Sequence, residues 1–83
     1  MTESVHTARY RQFRELLINA RKSKGLSQEA LAEKLARVQT FVSKYERGER
    51  RLDVVEFLDI SAALGVDPHK VIRQLQAKDG KQS

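Results

Sequence analysis

Four side chains that could bond another molecule recur within the stretch QTFVSKYER: Gln39, Thr40, Ser43 and Lys44. At about 100° per residue on a helix they share one side with Arg47, and no Asp or Glu lies among them. A Gln amide can form two hydrogen bonds with adenine, and a Lys can donate to guanine O6 and N7. This face therefore fits the base edges of a nucleic acid, with a merely solvated helix face as the alternative.

A basic stretch begins at the end of the same segment. It contains Arg47, Arg50 and Arg51, and the whole chain has 16 Lys and Arg against 11 Asp and Glu, a net charge of +5. Such an excess favours a polyanionic partner, either nucleic acid or an anionic membrane surface. The three arginines are predicted to contact phosphates, and a solvated basic loop is the alternative.

The residues needed for metal binding or catalysis are missing or scattered. The chain has no cysteine, which excludes disulfides and thiolate metal sites. His6 and His69 lie far apart, and no catalytic triad or carboxylate cluster can be drawn, so no metal, no cofactor and no enzymatic activity are expected. No apolar run approaches the ~20 residues that span a bilayer, and no signal peptide is evident, so a cytoplasmic protein is expected.

Helices must position these side chains, because the apolar residues recur at helical spacing and no segment alternates with period two. Helix ends are marked by Gly25, Gly48 and Gly65, where a left-handed residue closes the last turn. Helix starts are marked by short side-chain oxygens that cap the first turn, on Ser27, Asp53 and Asp67. The sequence predicts an all-α domain at residues 7–77, with helices over 7–23, 28–35, 39–47, 54–64 and 68–77 and flexible ends at 1–6 and 78–83.

One long segment also resembles a known family. LSQEALAEKLARVQTFVSKYERG, residues 26–48, resembles the helix-turn-helix core of phage repressors and Cro, the XRE-type family of bacterial transcription regulators. The flanks agree, with Arg21 near the end of the first helix and ALGVD after the fourth. The resemblance covers residues 10–67 and implies a compact five-helix, lambda-repressor-like domain that binds double-stranded DNA.

The resemblance also implies roles for individual residues. Positions that read base edges in the major groove are matched by Gln39, Thr40 and Lys44, and Ser43 shares their face. Gln28 opens the second helix, where free N–H groups and the helix dipole favour an anion, and its match contacts a phosphate. An exposed amide is the alternative for Gln28. Arg21 and Glu46 match a buried salt bridge, which also keeps the Glu46 carboxylate away from phosphates.

The turn between the second and third helices departs from the family pattern. Relatives carry a glycine, an apolar residue and a Ser or Thr cap, whereas this chain has Ala36, Arg37 and Val38. Alanine lacks the easy positive φ, so the corner is expected to be tighter or shifted by about one residue, with a weakly capped third helix. Phe41 is expected either to pack under the second helix or to touch a thymine methyl group. The side chains expected to pack on the first two helices are Val38, Val42 and Tyr45.

One helix-turn-helix domain reads only a few base pairs, which is too little for selectivity. The sequence therefore predicts a homodimer whose two copies bind half-sites about 10 bp apart or a multiple of that. The predicted self-contact is the exposed part of the apolar stripe of the fifth helix, Val71, Ile72 and Leu75, with the closing of the monomer's own core as the alternative for one or two of them. The resulting hypothesis is a transcription regulator on a pseudo-palindromic operator, without a small-molecule ligand or a membrane partner. Two alternatives stay open: a protein-interaction module such as an antitoxin that keeps the fold, and a basic amphipathic binder of anionic membranes.

Overall fold

Helices account for most of the backbone that the structure describes. The computed structural model describes the backbone of residues 7–82 and the side chains of residues 7–77, and it contains no strand within that range. The helices are α1 (Ala8–Ser23), α2 (Gln28–Leu35), α3 (Gln39–Arg47), α4 (Val54–Leu64) and α5 (Pro68–Gln82). The prediction of an all-α fold with five helices is confirmed.

The helix boundaries follow from the capping residues. Ser27 Oγ accepts a hydrogen bond from the Ala30 backbone N–H at 3.0 Å and opens α2. At the start of α4 the Asp53 carboxylate accepts from the Glu56 N–H at 2.7 Å, and Glu56 accepts from the Asp53 N–H at 3.0 Å, a complete capping box. Gly48 ends α3 with a φ of 82°, a left-handed conformation that glycine adopts without steric cost. Ser27 and Asp53 thus set the starts of α2 and α4, and Gly48 sets the end of α3.

The chain ends were predicted to be flexible. The first of these predictions, for residues 1–6, lies outside the described residues. At the other end α5 continues to Gln82, so the helix end predicted at residue 77 is wrong. The segment from 78 to 82 has no proline, and its one glycine costs a helix only about 1 kcal/mol, so nothing in it stops a helix already begun.

The core lies where α1, α2, α3 and α4 meet, and α5 closes it against α1 and α4. Its fully buried side chains include Leu17, Leu31, Val42, Tyr45 and Ile60. The packing predicted for Val42 and Tyr45 is confirmed, but Val38 is 70% exposed. Val38 is the residue before α3 and has an extended backbone (φ −75°, ψ 155°), so the 100° spacing of the helix does not extend to it.

The corner between α2 and α3 is not shifted, although it lacks a glycine. Ala36 itself adopts the left-handed conformation (φ 57°, ψ 40°), and the Arg37 N–H bonds to the Ala32 carbonyl at 2.9 Å. An L side chain in this conformation costs about 1–2 kcal/mol. Val38 accepts no side-chain hydrogen bond from the first turn of α3, which loses a further ~1 kcal/mol relative to a Ser or Thr cap. The turn therefore keeps its register at a local cost.

Candidate nucleic-acid interface

α3 carries its hydrogen-bonding side chains on the side opposite to the core. Gln39, Thr40 and Lys44 are exposed and Ser43 is half-buried, whereas Val42 is fully buried. Within the described residues no side-chain hydrogen bond or salt bridge engages the first three. Ser43 Oγ donates to the Thr40 carbonyl at 3.3 Å. The structure thus brings together Gln39, Thr40, Ser43 and Lys44 on one surface, which we call the reading face.

Glu46, the acidic residue of α3, is bonded inside the protein. Its Oε2 accepts from Arg21 Nε at 2.8 Å, and its Oε1 accepts from Arg21 Nη2 at 3.1 Å. Arg21 is 9% exposed and Glu46 7%, and Arg21 Nη1 also donates to the Leu26 carbonyl at 2.8 Å. This bidentate pair joins α1 to α3 and turns the carboxylate of α3 away from the reading face.

Gln28 was predicted to contact a phosphate, and its amide has a partner inside the protein. Gln28 Nε2 donates to Glu46 Oε1 at 2.8 Å, and the residue is half-buried. An amide nitrogen carries two donors, so the second N–H remains for an external acceptor. Gln28 therefore ties α2 to the buried Arg21–Glu46 pair, a role that the sequence did not indicate.

Two of the arginines predicted to contact phosphates are exposed. Arg47 donates from Nε and Nη2 to Glu49 at 2.9 and 3.0 Å, and this bonding raises the pKa of Arg47 and lowers the pKa of the Glu49 carboxyl. An exposed pair of this kind is worth little, so a phosphate can replace Glu49 at small cost. The Arg51 guanidinium carbon lies 5.2 Å from the centre of the Tyr10 ring. Both arginines can reach an external anion.

Arg50, the third of these arginines, is bonded within the protein. Its Nη1 and Nη2 donate to the two Glu56 oxygens at 2.9 Å each, and Nη1 also donates to the Arg51 carbonyl at 3.0 Å. The side-chain bonds from Arg50, followed by the Asp53 N–H, lower the pKa of the Glu56 carboxyl. Three of the five N–H donors of Arg50 are thus bonded inside the protein and Glu56 balances its charge, which favours a structural role for Arg50 over the predicted phosphate contact.

Phe41 packs inside the domain. The residue is 6% exposed, and its ring meets the Tyr45 ring at a centroid distance of 5.5 Å and an interplanar angle of 63°. Of the two expectations for Phe41, packing is the one that the structure shows. A ring this buried does not offer a surface to a thymine methyl group.

Two arginines near α3 were missed by the sequence analysis. The guanidinium carbon of Arg37 lies 3.9 Å from the centre of the Phe41 ring. Helical spacing did not point to this contact, because Arg37 lies in the turn before α3. Arg14 Nη1 donates to the Glu46 carbonyl at 2.7 Å. A Cβ at Gly48 would lie 3.0 Å from Arg14 Cζ, so the glycine also leaves room for this contact. No local pattern pointed to Arg14, because its partner lies on another helix.

The three residues of the predicted dimer contact have different exposures. Val71 belongs to the buried core, and Leu75 packs against that core. Ile72 is 44% exposed. Only Ile72 in this stripe therefore offers a substantial apolar surface to a second chain.

The described part of the chain contains no group of His, Cys, Asp or Glu side chains arranged to hold a metal ion. None of its helices combines the length and apolar character needed to cross a membrane. The reading face itself consists of amide, hydroxyl and ammonium groups, which donate and accept hydrogen bonds.

Known proteins share this architecture. A helix-turn-helix family model matches residues 17–71. An XRE-family like protein from Pseudomonas syringae pv. tomato is 45% identical, with a TM-score of 0.84, over 90% of this chain and 92% of that chain. The restriction-modification controller protein C.AhdI from Aeromonas hydrophila is 36% identical, with a TM-score of 0.66, over 71% of this chain and 86% of that chain. No curated protein shows a significant match.

Proposed function

Since the chain belongs to the XRE-type helix-turn-helix family of DNA-binding transcriptional regulators, we propose that it binds a pseudo-palindromic operator sequence-specifically as a homodimer. The observation that carries this proposal is the reading face of α3. The face is polar, and the carboxylate of the same helix is bonded to Arg21 inside the domain. A protein that used this fold only as a scaffold for another protein has no need of such a face.

Each residue type of the reading face suits a contact with a base edge. Gln39 and Thr40 stand in the first turn of α3, and recognition helices of this motif direct their N-terminal residues at the bases. The Gln39 amide can bond adenine N6 and N7 together, and the Lys44 ammonium can donate to guanine O6 and N7. The hydroxyls of Thr40 and Ser43 can bond either kind of base. We assign sequence preference to these four side chains.

Phosphate contacts flank the reading face in this proposal. Arg47 and Arg51 are exposed at and after the end of α3 and supply positive charge. Gln28 supplies its second amide N–H at the start of α2, where the helix dipole also favours an anion. Such contacts hold the protein in register on the duplex but carry no sequence information.

A second copy of the chain supplies the second half-site. One recognition helix reads only a few base pairs, and two helices facing one side of the duplex need half-sites about 10 bp apart or a multiple of that. We assign Ile72 to the contact between the copies, because it is the exposed member of the apolar stripe on α5. The dimer need form only on DNA, where both copies are held together by the operator.

The proposal is tested by selecting binding sites from random duplex DNA and by determining the mass of the protein–DNA complex by analytical ultracentrifugation. We expect an enriched palindrome with the half-site spacing given above and a complex of two chains per site. Lys44→Ala should relax the preference at particular positions by ~1–3 kcal/mol. Lys34→Ala is the matched control: it removes the same charge from α2 beside Asp59 and Ala62 of α4, away from the reading face.

Three results would contradict this proposal. A failure to enrich any sequence would favour the alternative of a protein-interaction module such as an antitoxin. A single chain that saturates the full palindrome would exclude the homodimer. Equal losses for Lys44→Ala and Lys34→Ala would show that Lys44 contributes only its charge.

A further inference from the structure

A cluster of four side chains joins the corner between α2 and α3 to the start of α4. The guanidinium carbons of Arg37 and Arg50 lie 3.9 and 4.9 Å from the centre of the Phe41 ring. Both arginines also face Glu56: Arg50 donates two hydrogen bonds of 2.9 Å, and Arg37 Nη1 lies 3.7 Å from Oε2. We call Arg37, Phe41, Arg50 and Glu56 the corner clamp.

The Phe41 ring is the part of the clamp that belongs to α3. It follows Gln39 and Thr40 directly in the first turn, and its side chain is buried against Tyr45. A guanidinium over an aromatic face is attracted by the negative charge of that face, and more strongly where water is excluded. The two arginines therefore hold the first turn of α3 to the residues on either side of it.

Glu56 is the part of the clamp that belongs to α4. Besides facing the two arginines, it accepts the Asp53 N–H and so completes the capping box. One carboxylate is thus shared by the corner, the loop after α3 and the first turn of α4. A Gln at this position can also serve in a capping box, so Glu56→Gln can remove the charge without opening α4.

The corner between α2 and α3 needs stabilising contacts from other segments, because its own residues stabilise it little. Ala36 holds a left-handed conformation that a side chain disfavours. Val38 gives the first turn of α3 no side-chain acceptor. That turn carries Gln39 and Thr40, so any fraying there displaces half of the reading face.

We propose that the corner clamp takes the place of the missing N-cap and sets the position of the first turn of α3. Its four members are then positioning residues for DNA recognition, and Arg50 acts on specificity from within the protein. The effect on recognition rests on the proposed function, whereas the order of the first turn is a property of the free protein. These two parts can therefore be measured separately.

Glu56→Gln tests the clamp, with Glu49→Gln as the matched control. Each removes one negative charge after α3, but Glu49 pairs with the exposed Arg47 outside the clamp. Without DNA, we expect amide hydrogen exchange over residues 40–42 to accelerate about tenfold in Glu56→Gln, the effect that the loss of one N-cap would have. The exchange rate of the same amides should stay unchanged in Glu49→Gln. With DNA, the ratio of affinities for the selected operator and scrambled DNA should fall about tenfold in Glu56→Gln alone.

Two further variants separate positioning from direct contact. Phe41→Leu keeps a buried apolar side chain but removes the aromatic face, and it should reproduce both effects of Glu56→Gln. Val38→Ser in the Glu56→Gln background supplies an N-cap, and it should restore slow exchange and the affinity ratio together. A residue that contacted DNA itself could not be replaced in this way.

The proposal is overturned if Glu56→Gln exchanges at residues 40–42 no faster than Glu49→Gln, or if Val38→Ser restores neither property. Faster exchange with an unchanged affinity ratio would overturn the role of the clamp in recognition. A wild-type protein that selects no DNA sequence would contradict the proposed function instead, and the exchange experiment on the free protein would still decide whether the clamp orders α3.

Discussion

Arg21 and Glu46 form a bidentate, buried ion pair between α1 and α3, with Nε–Oε2 and Nη2–Oε1 distances of 2.8 and 3.1 Å. The pair does two things at once. It fixes α3 on the rest of the domain, and it removes a negative charge from the helix that carries the reading face. Gln28 adds a third hydrogen bond to the same carboxylate at 2.8 Å. Side chains from α1, α2 and α3 therefore meet at Glu46.

Stability should suffer first when this pair is broken. Arg21→Ala or Glu46→Ala leaves the other charge buried and unpaired, which costs ~3–5 kcal/mol of the free energy of unfolding. The double variant should cost less than the sum of the two, because it leaves no unpaired charge. Urea unfolding of all four proteins measures the coupling, and additive losses would exclude a direct interaction.

Val38→Ser should stabilise the protein. The serine hydroxyl can accept a hydrogen bond from a first-turn N–H of α3. Replacing Val38 removes little buried apolar surface, because its side chain is mostly exposed. We expect a gain of ~1 kcal/mol and a rise in Tm of about 4–8 °C. Val55→Ser, at an exposed position inside α4, is the control without a capping role. Equal Tm changes in both variants would show that no cap had formed.

Arg51 and Arg50 should differ in how they affect the salt dependence of DNA binding. Arg51→Ala is expected to weaken operator and scrambled DNA alike and to flatten the slope of log K against log salt by about one unit. Arg50→Ala should leave the slope nearly unchanged, because Glu56 already balances this charge, and should lower the preference for operator. Affinities for both DNAs across a salt series decide this. Equal slope changes for the two variants would return Arg50 to the phosphate contacts.

The contribution of Glu56 to stability should depend on pH. Arg50 holds the pKa of the Glu56 carboxyl below its ordinary value of 4.5, so the folded state binds the proton less readily than the unfolded state. The stabilisation is therefore complete above pH 4.5 and is lost as the pH falls through the lowered folded value. The difference in unfolding free energy between wild type and Glu56→Gln should shrink over that range. A difference that stays constant from pH 7 downwards would contradict this coupling.

Ile72→Glu should weaken the assembly of two chains on the operator without unfolding the domain. Ile72 is partly exposed, so a charge there meets water in the monomer but is buried in the proposed contact. Gln74→Glu adds the same charge at an exposed position of α5 and is the control. Sedimentation with operator DNA should show the loss of the 2:1 complex for Ile72→Glu alone. If both variants kept the 2:1 complex, or both lost it, the dimer contact would lie elsewhere.

The sequence alone determined the helices of the motif and the side of α3 that faces outward. Ser27, Asp53 and Gly48 act on backbone groups within a few residues of themselves, so their effects can be predicted without a tertiary structure. The starts of α2 and α4 and the end of α3 agree with prediction for this reason. The helix end at residue 77 failed because no breaker marks it, and helix propensity alone does not locate a boundary.

Only the tertiary structure decided the partners of the long polar side chains. Arg50, Gln28 and Arg37 each carry several donors on flexible stems, and in the fold each meets an acceptor or ring from another segment. Two of these three had been predicted as phosphate contacts or exposed groups from their positions along the chain. The helical period predicts the direction in which a side chain leaves its own helix. Which carboxylate that side chain reaches depends on how the helices pack. Glu46 and Glu56 became the centres of two networks because packing brought several donors to each, and that information is not local.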